Sequence, residues 1–285
     1  MPKAKSTSSG HGFGTAPVFL AAISTILGAI LFLRFGYAVA HVGMVGSILI
    51  VLIGHAITIP TALAIAEIAT NLKVEGGGEY FIISRSFGSM VGGTIGISLY
   101  FSQAISVAFY MIAFAEAFTP WFGWIETTLG ITPQTWMISA PATLILLIVM
   151  LVKGADLGVS ALWVVVVILG TSLLVFFVGH PLEAAANKDI FATIEKPDNF
   201  FMVFAIIFPA FTGMTAGVGL SGDLKNPRKS IPLGTLTATF AGMVIYILVV
   251  IKLAYSLPLQ DLATNQFAMG EITVWSPIIP IGLAA

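Results

Sequence analysis

The chain has 285 residues, of which 58% are hydrophobic and only 9% charged, and its formal net charge is −1. A water-soluble domain carries roughly a quarter charged residues, so 12 basic and 13 acidic side chains are too few for the surface of a soluble globule of this length. The hydrophobic content also excludes disorder, the near-zero charge gives no nucleic-acid signature, and the absence of cysteine rules out disulfides and thiol chemistry.

Residues 1–15 are polar, rich in Gly and Ser, and carry Lys3 and Lys5. They read as a cytoplasmic tail, because the apolar stretch that follows is too long for a signal peptide. A bilayer-crossing helix needs ~20 mostly apolar residues. On that measure the sequence predicts spans at about 16–40, 44–69, 91–118, 135–153, 157–179, 200–222 and 234–257. An eighth apolar segment starts near Ser276 and is cut off at Ala285. Alternating patterns of ~10 residues, the mark of a membrane β-barrel, are absent. The fold class expected is therefore an all-α membrane protein.

Basic residues set the orientation. Lys3, Lys5, Lys73, Arg85, Lys153, Lys225, Arg228 and Lys229 fall on one set of alternating segments, and only Lys188 and Lys196 on the other. This bias puts the N-terminus in the cytoplasm of a multi-pass protein of the cell membrane. The segment at 119–134 has no basic residue and carries Trp121 and Trp124, as an outer interfacial loop would.

Two spans carry helix breakers near their middle. Span 1 has Ser24, Thr25 and Gly28; span 6 has Pro209, Thr212, Gly213, Thr215, Gly217 and Gly219. Proline lacks a donor and clashes with the carbonyl one turn back, so span 6 is expected to break near Phe208 to Gly213. Unwound backbone at mid-membrane is tolerated only inside protein or beside a cavity. Broken helices five spans apart mark an inverted repeat with its binding site at the midplane. A first five-helix repeat is expected at about 16–179 and part of a second at about 200–285, within a transport domain covering 16–285. Kinks that serve packing alone are the other reading of these residues.

Three runs carry a resemblance: G-A-I-L-F-L-R at Gly28 to Arg34, E-G-G-G-E-Y-F-I-I-S-R-S-F-G at Glu75 to Gly88, and F-P-A-F-T-G-M-T-A-G-V-G-L-S-G-D-L-K-N-P-R-K-S-I-P at Phe208 to Pro232. They resemble the cation-chloride cotransporters of the amino acid–polyamine–organocation superfamily, from about Gly14 to Ala285. The resemblance implies a LeuT-like inverted-repeat bundle of twelve spans. By that measure this chain is expected to be an N-terminal fragment, with about seven spans and the start of an eighth, unable to transport by itself. Its short N-terminus is similar to that of prokaryotic members.

The resemblance also implies ligands. Potassium would be held by the carbonyls of Thr25 and Ile26, the hydroxyl of Tyr110, the carbonyl of Pro209 and the hydroxyl of Thr212. Thr25 stands where animal members have Asn, a change that a carbonyl ligand survives. Neutral oxygens suit a large, weakly hydrated cation. A lone mid-span tyrosine is otherwise read as a packing residue; the neighbouring Ser106 and the family match favour a ligand. Two chloride ions would sit at the half-helix N-termini, one on the amides of Gly28, Ala29 and Ile30 and a second on those of Gly213, Met214 and Thr215, the second also using a tyrosine of span 10 in the family. Free amides and the helix dipole bind anions without a charged side chain, although these glycines could equally serve close packing. A cation among neutral oxygens in low dielectric is costly unless an anion lies nearby, which gives a reason for electroneutral coupling. Sodium dependence would rest on residues of span 8 beyond Ala285.

Charged residues within spans are expensive. The family match makes Arg34 and Glu116 an extracellular gate pair; snorkelling side chains are the alternative. Glu67 reads as a helix-end partner, and Lys252 as snorkelling outward. His41 and His55 have no carboxylate near them in sequence and read as packed or interfacial. The function expected is secondary active symport of potassium and chloride, with an amino-acid permease of the same superfamily as the alternative. No nucleophile–base pair or carboxylate pair suggests an enzyme, so neither catalytic residues nor a cofactor nor a transition metal is expected. The expected partners are inorganic ions and the lipid bilayer, with a homodimer as the assembly considered and no nucleic acid.

Overall fold

The structure, a computed structural model, describes residues 12–71, 77–153, 155–180 and 189–285. Most of the expected tail, together with Lys73, Glu75, Gly76 and Lys188, lies outside these residues. Six stretches are long and apolar enough to cross a membrane, which makes this an all-α, multi-pass membrane protein. The first, Thr15–Asn71, has 57 residues, about 85 Å of helix, enough for two crossings of a ~30 Å core. It comprises α1 (Thr15–Ile26) and α2 (Ala29–Asn71), and α2 is itself broken at Gly43, where φ is 70° and ψ 175°. A residue with a Cβ is strained in that conformation. The breaks after Ile26 and at Gly43 thus create the interrupted span 1 and the separate span 2.

The chain continues through α3 (Gly78–Phe87), α4 (Ser89–Glu116), α5 (Phe122–Leu129), α6 (Thr135–Lys153), α7 (Ala155–Val178), α8 (Phe200–Ile207), α9 (Pro227–Ser256), α10 (Leu259–Thr264) and α11 (Ile278–Ala284). The long helices match the predicted spans closely, except that α9 begins seven residues before the expected 234. Short helices α3, α5 and α10 were not expected. Each is too short to cross a membrane, so a search for ~20-residue apolar runs passes over it.

Hydrogen bonds tie the two ends of the bundle. At one end Ile194 N–H donates to the Ala40 carbonyl at 3.0 Å and Val45 N–H to the Ile190 carbonyl at 3.3 Å, joining the segment before α8 to the Gly43 turn. At the other end Phe13 and Leu224 form a parallel bridge, with Phe13 N–H donating to Asp223 O and Lys225 N–H to Phe13 O, both at 2.9 Å. The start of span 1 and the end of span 6 are thereby held together.

The core lies where α1, α2, the span 6 segment and α9 meet. Ile26, Phe32, Phe35, Phe211, Tyr246 and Leu253 are all fully or almost fully buried there. The α6 stretch, by contrast, is bare along its length, which suits a helix whose apolar surface faces lipid. Lys252, read as snorkelling outward, donates from its Nζ to the Gly179 carbonyl at 2.6 Å, just past the end of α7. The unpaired carbonyls and negative dipole end of a helix make a better partner for an ammonium than the bilayer interior.

Span 6 breaks in the expected place. Helix α8 stops at Ile207, a 3-10 turn covers Phe208–Phe211, and Thr212 leads into a second 3-10 run, Gly213–Asp223. Eleven residues of 3-10 helix are unusual, and such stretches mark hinges or strain. The span 1 break presses directly on this junction. A Cβ on Gly213 would lie 2.8 Å from Ile26 N and from two atoms of Thr25, whereas one on Gly219 would meet nothing within 4 Å. Gly213→Ala is therefore expected to destabilise the protein by about 1–3 kcal/mol through overpacking, while Gly219→Ala is expected to melt close to wild type. Thermal melting of both variants in detergent checks this.

Candidate ion-binding site

The two breaks present backbone oxygens. In span 1, Leu27 N–H donates to Ile23 O at 2.9 Å and closes α1, and the chain restarts as helix at Ala29. The Thr25 hydroxyl turns back and donates to Ala21 O at 2.8 Å, a local back-bond typical of helical threonine. What Thr25 offers at the break is its carbonyl. In span 6 the Thr212 hydroxyl donates to Pro209 O at 2.7 Å, so these two oxygens lie side by side.

A cavity of about 430 Å³ lies between span 1, α4 and the span 6 break. Thr25, Ile26, Tyr110, Pro209 and Thr212, the five residues expected around a cation, all line it. So do Gly28, Ala29 and Ile30. Ala29 and Ile30 open a helix, and first-turn amides have no intrahelical acceptor. Gly213, Met214 and Thr215 do not line this cavity; Gly213 and Met214 are buried at the start of the 3-10 run. Of the two amide groups expected at two chloride ions, one therefore lies on the wall of this cavity and the other does not. Arg34 and Glu116 face the same cavity, and among the described residues no ion pair joins them. Their opposite charges leave the cavity wall neutral overall. No cluster of three or more metal-ligating His, Cys, Asp or Glu side chains occurs among the described residues.

His41 meets a carboxylate from a distant part of the chain. Its Nδ1 accepts from Asp198 N–H at 2.8 Å and lies 3.4 Å from Asp198 Oδ2, while the Tyr37 hydroxyl donates to the same carboxylate. The Tyr37 and His41 rings are 4.1 Å apart. The carboxylate is 157 positions away in sequence, which is why no local pattern revealed it. His55 is buried and packed: its Nδ1 and the Val51 carbonyl are 2.8 Å apart, and its ring lies 4.9 Å from that of Phe211. Because a carbonyl can only accept, Nδ1 carries the proton.

One residue escaped sequence reasoning altogether. Tyr246, fully buried in α9, donates its hydroxyl to Ile26 O and lies 3.0 Å from Ala210 O. It touches the backbone of both breaks. The only signal was a phenol in the middle of an apolar span, where its hydroxyl needs a partner.

The amino acid permease family profile matches residues 17–282. The chain belongs to the amino acid permease family. It is 34% identical over 252 residues to solute carrier family 12 member 1 of Mus musculus, covering 83% of this chain and 23% of that protein. It is 33% identical over 244 residues to solute carrier family 12 member 2 of Homo sapiens, covering 81% of this chain and 20% of the relative. With solute carrier family 12 member 9 of Danio rerio the identity is 29% over 309 residues, covering 93% and 34%. The chain thus spans a fifth to a third of the length of these curated relatives. These matches agree with the cation-chloride cotransporter resemblance of its motifs.

The cluster at the end of span 1 gives a stability test. Tyr37→Phe and Asp198→Ala are each expected to cost about 1 kcal/mol, the usual net value of one hydrogen bond. The double variant is expected to cost less than their sum, because both remove the same interaction. A double-mutant cycle by thermal or denaturant unfolding measures this.

Proposed function

We propose that the protein is a secondary active transporter that moves potassium together with chloride across the cell membrane by alternating access. The observation that carries this reading is the gathering of the five expected cation residues around one cavity at the two helix breaks. Their donor set is carbonyl and hydroxyl oxygen, suited to a large, weakly hydrated cation. The opening amides of α2 at the same cavity offer an anion partial positive charge. An anion there offsets the cost of holding a cation in low dielectric, so each ion favours binding of the other. Transport of both together follows from that mutual stabilisation.

The orientation we assign has the N-terminus in the cytoplasm. Lys225, Arg228 and Lys229 sit at the Phe13–Leu224 end, so the bridge gathers positive charge at the end read as cytoplasmic. Arg34 and Glu116 lie on the other side of the break and act as an outer gate, open when they are apart.

The family name favours a second reading, a permease for amino acids. Such proteins bind the substrate carboxylate at a span 1 motif of the form G-x-G, and here Ala29 and Ile30 follow Gly28. Similarity to solute carrier family 12 supports the ion reading over this one. The full chain as its gene encodes it, reconstituted in liposomes, is expected to take up labelled rubidium in a chloride-dependent way. Uptake of labelled amino acids without rubidium would reverse the assignment.

Two sets of variants refine the site. Tyr110→Phe is expected to weaken apparent rubidium affinity about 5- to 150-fold, corresponding to ~1–3 kcal/mol for one ligand lost from a charge, with normal folding. Unchanged affinity would make Tyr110 a packing residue. Arg34→Glu is expected to depress transport strongly, and pairing it with Glu116→Arg to restore part of the rate. An unpaired charge in a partly dry vestibule costs several kcal/mol, against about 0–1 for a solvated pair. Near-normal rates in both single variants would remove the gate assignment.

A further inference from the structure

We infer that Tyr246 is the positioning residue of the ion site: its hydroxyl, bonded to the freed carbonyls of both helix breaks, fixes their separation and so sets which cation size the site accepts. The inference rests on the ion-transport reading above. Tyr246 is fully buried and does not line the cavity, so it acts from behind the ligands rather than as one of them. Its hydroxyl donates to Ile26 O, itself an expected ligand, and lies 3.0 Å from Ala210 O, the carbonyl next to that of Pro209. A phenol has a single proton, so the two carbonyls share one donor and are drawn to one point. A carbonyl oxygen has two lone pairs, which leaves Ile26 O free to face the cavity as well.

The ring is held as firmly as the hydroxyl. It stacks on Phe35 of α2, with centroids 4.8 Å apart and planes 11° apart, and meets Phe211 of the span 6 break edge-on at 5.2 Å. One side chain of α9 therefore contacts both halves of span 1 and the unwound part of span 6. Carbonyl filters discriminate cations by cavity size or by the number and field of the oxygens. A donor bonded to one of those oxygens changes both its position and its field. Loss of the hydroxyl frees Ile26 O and Ala210 O to move independently, and the site is expected to accept a wider range of cations.

The test uses the full gene product in liposomes, with chloride-dependent uptake of rubidium measured in competition with sodium and caesium. Tyr246→Phe keeps the ring and removes the donor. It is expected to raise the apparent KM for rubidium about tenfold and to narrow the preference for rubidium over sodium and caesium, with a smaller change in the maximal rate. Leu253→Ala empties a fully buried position about two turns further along α9 and leaves Tyr246 and its stack in place, and is expected to lower thermal stability while leaving the cation preference intact. Should Tyr246→Phe fail to fold, 3-fluorotyrosine placed at 246 preserves the shape and makes the hydroxyl a stronger donor, and the cation preference is expected to shift. Wild-type KM and preference in whichever of these two Tyr246 proteins folds would overturn the inference, as would an equal change of preference in Leu253→Ala. Absence of rubidium uptake by the wild type would instead overturn the ion-transport reading, and the inference with it.

Discussion

Backbone carbonyls released at the middle of a membrane have no water to bond, and each one left bare costs several kcal/mol. The architecture of this chain follows from that constraint. The two breaks that expose oxygens at the candidate site are packed against each other, with Gly213 on Thr25 and Ile26. A buried phenol and a threonine hydroxyl then serve Ile26, Ala210 and Pro209. Oxygens that must be satisfied when the site is empty are also oxygens that can turn toward an ion. On the proposed reading, stability and ion binding draw on the same few atoms.

The same constraint explains where the bundle is dense. α1, α2 and α9 surround the breaks and carry the large buried side chains, whereas α6 is bare. The ends are tied by backbone bonds at Ala40 and Val45 on one side and at Phe13 and Lys225 on the other. The middle is thus held by side chains and close packing, and the ends by short stretches of paired backbone. Lys252 follows the same logic at the end of α7, where its ammonium pairs with a carbonyl that the helix leaves over.

Much of this was legible in the sequence because the strongest signals are local. Apolar runs gave the spans, Pro209 gave the break after Ile207, and the motif at Gly28 to Arg34 gave the restart of helix at Ala29. Site residues far apart in sequence came from the family motifs, not from spacing. What remained hidden depends on contacts between distant positions. His41 meets Asp198 157 residues on, Lys252 meets Gly179 across 73, and Tyr246 meets Ile26 across 220. The winding of Gly213–Asp223 was hidden for another reason: glycines that permit a tight helix do not say which helix forms.

That winding has a consequence for length. A 3-10 helix rises ~2.0 Å per residue and an α-helix ~1.5 Å, so the eleven residues Gly213–Asp223 cover about 22 Å as they stand and about 16 Å if rewound. The two windings of this one sequence would thus differ in length by about 5 Å. Leu224 sits at its lower end, and Phe13 is bonded to the residues on either side of it. A change in winding there would therefore shift Phe13 and the start of α1 along with it.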